Sequence, residues 1–161
     1  MQIEMVIKGL MVDPITSMPI IILRDRDGDR VLPIWVGVFE ANAIALQIEN
    51  ISTPRPMTHD LLRNTLRDLD AKVQRILVSD LKDNTFYALI YVECHGEVVA
   101  IDARPSDAIA LALRTQAPIF VEDFVIDHAK TIDFTPEKGD SSRLQRWLES
   151  LDPEELGKYK M

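Results

Sequence analysis

Residues 2–12, "QIEMVIKGLMV", combine apolar and polar alternation with β-branched side chains, and so predict a first strand that Pro14 ends. Two further apolar runs in "PIIILRDRDGDRVLPIWVG" are separated by a charged turn. Asp27-Gly28 there predicts a hairpin, because glycine tolerates the positive φ of tight turns. From Phe39 the period changes: Ala41, Ile44, Ala45 and Ile48 recur at helical spacing, giving a helix with a small-residue face. After two prolines in "STPRPMTHDLL", Thr58 opens a second helix to about Asp70, with Leu61, Leu62, Leu66 and Leu69 as its expected buried stripe. Strand patterns follow at 72–81, 85–94 and 98–103. The short connections "KDN" and "HG" predict an antiparallel meander. A helix from Ser106 to about Gln116 comes next, and "IFVEDFVI" after Pro118 predicts one or two short strands.

The remainder reads differently. "DFTPEKGDSS" is a loop by composition, and "SSRLQRWLESL" places Leu144, Trp147, Leu148 and Leu151 on one side of a helix, with Trp147 as a docking residue. The expected organisation is one α+β domain, residues 1–133, with a mixed, mostly antiparallel sheet and interspersed helices. Residues 134–161 form a short C-terminal helical tail. Neither the dinucleotide-binding nor the Walker glycine pattern is present.

Composition narrows the function classes. A chain of 161 residues can bury roughly two-thirds of its unfolded surface, so it needs no disulfide or metal staple. Cys94 is the only cysteine, which excludes an intramolecular disulfide, and with three histidines it also excludes a Cys-rich zinc site. No apolar run reaches the roughly 18 residues of a bilayer span, and no export signal is recognisable at the N-terminus. The expectation is a cytoplasmic protein without a membrane partner. Its net charge of −8 argues against tight, sequence-blind binding of nucleic acid, though not against a local cationic groove.

Two short stretches share a plan. "RPMTHD" (55–60) and "RPSD" (104–107) each run Arg, Pro, hydroxyl residue and acid into an apolar helix. Thr58 and Ser106 fit N-caps, and Asp60 and Asp107 fit the first turn, where the helix dipole favours negative charge. Capping accounts for these hydroxyls and acids, but leaves Arg55, His59, Asp102 and Arg104 unexplained. A helix N-terminus beside an arginine is an anion site. On that reading Arg55 and Arg104, with Thr58 and Ser106, bind phosphate; His59 moves a proton; and Asp60, Asp102 and Asp107 place a divalent metal. Without a metal, Asp60 and Asp107 would repel the anion. Asp–Arg salt bridges, Asp102 to Arg55 for example, are the competing account. Glu40 fits either a first-turn acid or a third carboxylate of the site. His95 and His128 are expected at the surface, Trp35 in the core, and Asp25, Asp27 and Asp29 in a solvated turn.

Across "LPIWVGVFEANAIALQIE", "PRPMTHDLL", "TFYALIYV" and "IDARPSDAIALALRTQAPIFV" the sequence resembles the bifunctional nuclease family, over about residues 1–130. The family's signature positions fall here on Pro33, Ile34, Gly37, Glu40, Arg55, Pro56, Thr58, His59, Asp60, Asp102, Arg104, Pro105, Ser106 and Asp107. The resemblance implies a self-associating α+β fold and hydrolysis of DNA and RNA. It transfers no catalytic assignment. Residues 134–161 are too short for the UvrB/UvrC-type motif of some members, so that partnership is not carried over. Two functions stay open. One is a nuclease with His59, Asp60, Asp107 and Glu40 as catalytic groups and Mg²⁺ or Mn²⁺ as the candidate metal. The other is a non-catalytic regulatory or interaction module whose Arg/Asp motifs are caps and salt bridges. Either would be a homodimer or a higher homo-oligomer.

Overall fold

The computed structural model describes residues 1–132; the predicted tail at 134–161 and Trp147 lie outside them. Period-two segments become β1 (Gln2–Val12), β2 (Pro19–Asp25), β3 (Val31–Trp35), β4 (Ala71–Lys82), β5 (Thr85–Cys94), β6 (Glu97–Ala103) and β7 (Ile119–Glu122). The helices are α1 (Val38–Ile48), α2 (Thr58–Asp68), α3 (Pro105–Thr115) and α4 (Asp123–Ile132). All seven strands join one sheet in the order β3-β2-β1-β7-β4-β5-β6. Every pairing is antiparallel except β4 with β7. This is the expected α+β domain with a mixed, mostly antiparallel sheet.

The connections follow local backbone preference. Asp83 and Asn84, and then His95 and Gly96, take positive φ and close the β4–β5 and β5–β6 hairpins in the sense that suits strand twist. β2 is buried along Pro19–Leu23: Ile21 and Leu23 enter the main core, while Ile20 and Ile22 join Met11 in a smaller cluster against Trp35. Trp35 is half-buried, and its indole N–H donates to Asp13 at 2.9 Å. The main core continues through Ile76 and Val78 of β4 and Ala88, Ile90 and Val92 of β5, with Ala41 and Ile44 of α1 and Ala108, Ile109, Leu111 and Ala112 of α3. Alanines on both helices permit close packing of α1, α3 and the sheet.

Three local expectations are corrected. "IFVEDFVI" is not strand throughout: Ile119–Glu122 forms β7, but Asp123 starts α4, whose Val125, Ile126 and Ala129 recur on one buried helical side. Thr58 and Ser106 are not N-caps, because both are already helical. Met57 and Arg104 occupy the cap positions without a side-chain cap bond. Pro105 takes the first turn of α3, where its missing N–H costs nothing, and at α2 the Asp60 carboxylate accepts the Met57 N–H at 2.9 Å. The leucine stripe of α2 is not buried either. Leu61 and Leu69 are 60% and 65% exposed, and only Leu66 packs, half-buried, on the core.

Candidate functional site

Helices α1 and α2 and the start of α3 border a groove of about 720 Å³ above β5 and β6. Its floor is Ile90, Val92, Ile101 and Ala103, which cross-strand pairing places on one sheet face. Phe39, Ala43 and Leu46 line it from α1, and Leu62 and Leu66 from α2. Polar groups gather at one end: Glu40 at the start of α1, Thr58 and His59 at the start of α2, and Arg104 and Asp107 at the start of α3. Three helix N-termini thus open on one place, because each chain entry into a helix occurs on that side of the sheet.

The cluster is tied together by short bonds. His59 Nε2 lies 2.9 Å from Asp107 Oδ1, and Arg104 Nε donates to Asp107 Oδ2 at 2.8 Å. Arg104 also donates through its terminal nitrogen to Glu40 Oε1 at 2.8 Å. Burial pushes the Asp107 carboxyl up, but the bonds from Arg104 and His59 outweigh it and hold the group below its ordinary value. Asp107 is therefore ionised and can only accept, so His59 Nε2 carries the donated proton of this contact. Asp107, followed by Glu40, raises the Arg104 pKa further above its ordinary range. Two of the five guanidinium N–H bonds serve these carboxylates, which leaves three for an anion. Gly37, the N-cap of α1, lies directly under this arrangement: any Cβ there would run into the Glu40 carboxylate.

The twin motifs separate here. Asp60 is not among the groove residues; its Oδ1 accepts from Arg114 Nε at 2.7 Å. The Arg114 side chain is 2% exposed and also donates to the carbonyls of Ala110 and Ala43, both at 2.9 Å. Burial raises the Asp60 pKa, yet the Met57 N–H and Arg114 more than compensate and the net shift is downward. Arg55 is exposed and stands outside the groove lining, its side chain pairing with nothing among the described residues. Ser106 is buried away from the lining. Asp102 borders the groove, but strand alternation gives its side chain to the opposite face, with Leu89. Neither Asp102 nor Arg55 forms the ion pair considered from sequence.

These positions bear on metal binding. Asp60, Asp102 and Asp107 do not converge, and both carboxylates at the polar end, Glu40 and Asp107, are engaged by Arg104. Among the described residues no three His, Cys, Asp or Glu side chains are grouped as a metal ion requires. In this arrangement the described side chains offer no ready-made divalent-ion site; what they bring together is an Asp–His pair beside an arginine held by two carboxylates.

Two residues escaped the sequence reading. Arg114 stands in the last turn of α3, and its partner lies 54 residues away. Asn42 sits in the small apolar helix "FEANAIAL"; the signal was a polar residue three after Phe39 and four before Leu46, on the stripe that faces the groove. No helix among the described residues is long and apolar enough to cross a membrane.

Comparison with known proteins adds an independent line. The family model of the bifunctional nuclease domain matches residues 21–133, a range that holds every member of the polar cluster. An uncharacterized protein of Mycobacterium tuberculosis is 34% identical over 164 residues, covering 95% of this chain and 97% of that protein. Bifunctional nuclease 1 of Oryza sativa subsp. japonica is 29% identical over 105 residues, which is 63% of this chain but 32% of the rice protein. Bifunctional nuclease 2 of Arabidopsis thaliana is 27% identical over 128 residues, 72% of this chain and 39% of the plant protein. The chain thus spans nearly all of the mycobacterial relative and about a third of the plant ones.

Proposed function

The chain belongs to the bifunctional nuclease domain family, and from that premise we propose that its groove hydrolyses phosphodiester bonds of DNA or RNA with His59 as the proton-transfer group. The observation that carries the reading is the 2.9 Å bond between His59 and Asp107, with Arg104 bridging Asp107 and Glu40 at the groove's polar end. Arg104 receives non-bridging phosphate oxygens on its uncommitted N–H groups. His59 Nδ1 accepts the proton of the attacking water as its oxygen bonds to phosphorus, the P–O bond to the leaving sugar oxygen breaks, and that oxygen takes up the proton from the imidazolium, which Asp107 stabilises in between. Glu40 holds Arg104 in place. Thr58, at the groove wall, is a further hydroxyl donor for the substrate.

The relatives named as nucleases support this reading, as does the enclosure of the cluster within the matched region. A divalent ion stays with the proposal as an expectation from sequence; Glu40 and Asp107 would have to release Arg104 to hold one. We further propose that the protein acts as a homo-oligomer, which the exposed Leu61 and Leu69 and the exposed Val98 and Val99 of the edge strand β6 favour. A cytoplasmic site of action accords with the unpaired Cys94.

The test is hydrolysis of labelled DNA and RNA in Mg²⁺, Mn²⁺ and EDTA, with His59→Ala and Asp107→Asn beside the parent protein. His59→Ala is expected to lower kcat by roughly 10²- to 10⁴-fold with an unchanged melting profile. Equal rates in parent and His59→Ala would remove the assignment. Activity that survives EDTA assigns the step to the side chains, and activity restored only by Mg²⁺ or Mn²⁺ means that an ion displaces Arg104.

A further inference from the structure

The proton-transfer cluster occupies one end of the groove and leaves its larger apolar arm without a role. The α1 residues that face this arm are Phe39, Asn42, Ala43 and Leu46, an i, i+3, i+4, i+7 stripe. Three are apolar. Asn42 is 6% exposed, lines the groove, and its carboxamide makes no hydrogen bond with any described residue. A carboxamide brings two donors and two acceptor lone pairs, and buried polar groups of folded proteins are rarely left without partners. An unpaired amide in a core would be a defect; in a groove wall it faces whatever enters. Across from it the floor residues Ile90, Val92 and Ile101 and the wall residue Leu62 are apolar. A slot with apolar surfaces and one edge-reading amide suits a planar heterocycle with hydrogen-bonding groups on its rim.

We propose that the apolar arm of the groove binds a single unstacked nucleobase, and that Asn42 reads the base edge through its carboxamide. The proposal rests on the nuclease reading and deepens it: Arg104 takes the phosphate and the arm takes a base of the same strand. Asn42 is then a specificity-determining residue rather than a catalytic one. A paired and stacked base cannot enter the slot, so duplexes bind more weakly than single strands.

The experiment measures fluorescence anisotropy of short oligo-dA, oligo-dC and oligo-dT with the full chain carrying His59→Ala, so that binding is read apart from cleavage. One base is expected to bind roughly tenfold more tightly than the others, in line with a bidentate amide contact. Adding Asn42→Leu, of similar volume and without polar atoms, is expected to abolish that preference. Asn42→Asp, which replaces the amide donors with acceptors, is expected to change which base is preferred, and it carries the test if the leucine variant does not fold. Arg104→Ala is expected to weaken all three alike. Equal affinity for the three oligonucleotides, or a preference unchanged in both Asn42 variants, overturns the proposal. Base preference in a protein without hydrolytic activity would keep the pocket and remove the nuclease reading. His59-dependent hydrolysis without base preference would do the reverse.

Discussion

Arg114 is as deeply buried as the apolar residues around it, and Asp60 is its counter-charge. Removing one partner of a buried pair strands the other, so Asp60→Ala is expected to cost about 3 kcal/mol or more in denaturant unfolding, while Asp68→Ala on the exposed end of α2 leaves the midpoint unchanged within error. The pair also has a pH signature. A carboxyl held below its ordinary 3.8 binds fewer protons folded than unfolded, so its stabilisation is full above about pH 4 and is lost as pH falls through the depressed value. Asp60→Asn is expected to flatten the acid limb of a stability-versus-pH curve; an equally steep limb in the variant would assign that limb to other carboxyls. Sequence alone could not separate Asp60 from Asp107, because both stand in matching Arg-Pro-hydroxyl-acid contexts. What separates them is the long-range partner: Arg114 for one, His59 for the other. His59, Arg104, Asp107 and Glu40 were legible as chemistry-bearing residues, whereas Asn42 was hidden by its alanine neighbours.

Among the four helices of the described residues, α2 is the least anchored, since it alone has no fully buried residue. Its leucine spacing was legible; what lies against those leucines was not, because amphipathicity states that a face wants cover and not which surface covers it. Leu61 and Leu69 thus become the expected self-association face. Sedimentation equilibrium of the parent chain is expected to give a mass at least twice the 18.3 kDa of one chain, and Leu61→Ser/Leu69→Ser to reduce it to one. A monomeric parent protein would sink the homo-oligomer reading. The β4–β5 and β5–β6 hairpins were readable, since their turns are local: Asp83-Asn84 and His95-Gly96 carry the positive φ themselves, whereas β2 and β3 pair as expected although neither Asp27 nor Gly28 takes the positive φ that the sequence suggested. β7 was readable as one short strand, but α4 was not, because "IFVEDFVI" satisfies the strand pattern over eight residues and only burial of Val125, Ile126 and Ala129 selects helix for the second half.

For the whole molecule the net charge is −8, and Arg104 is the one Lys or Arg among the groove residues, so on the proposed function the attraction for a nucleic acid centres on that side chain. Affinity for a single strand is expected to fall with salt at a log–log slope of about −1, as for one or two phosphates, and Arg104→Ala is expected to bring the slope close to zero. A steep slope that Arg104→Ala leaves untouched would relocate the binding surface. The sheet itself holds a consequence of another kind. β1–β3 and β4–β6 are each complete meanders, and within the sheet they are joined only by the four residues of β7, which pair with Gln2–Met5 on one side and Ile76–Val78 on the other. During synthesis the first strand must therefore wait, one edge unfilled, until nearly 120 further residues have left the ribosome, and the final closure of the sheet is a late event in the life of each nascent chain.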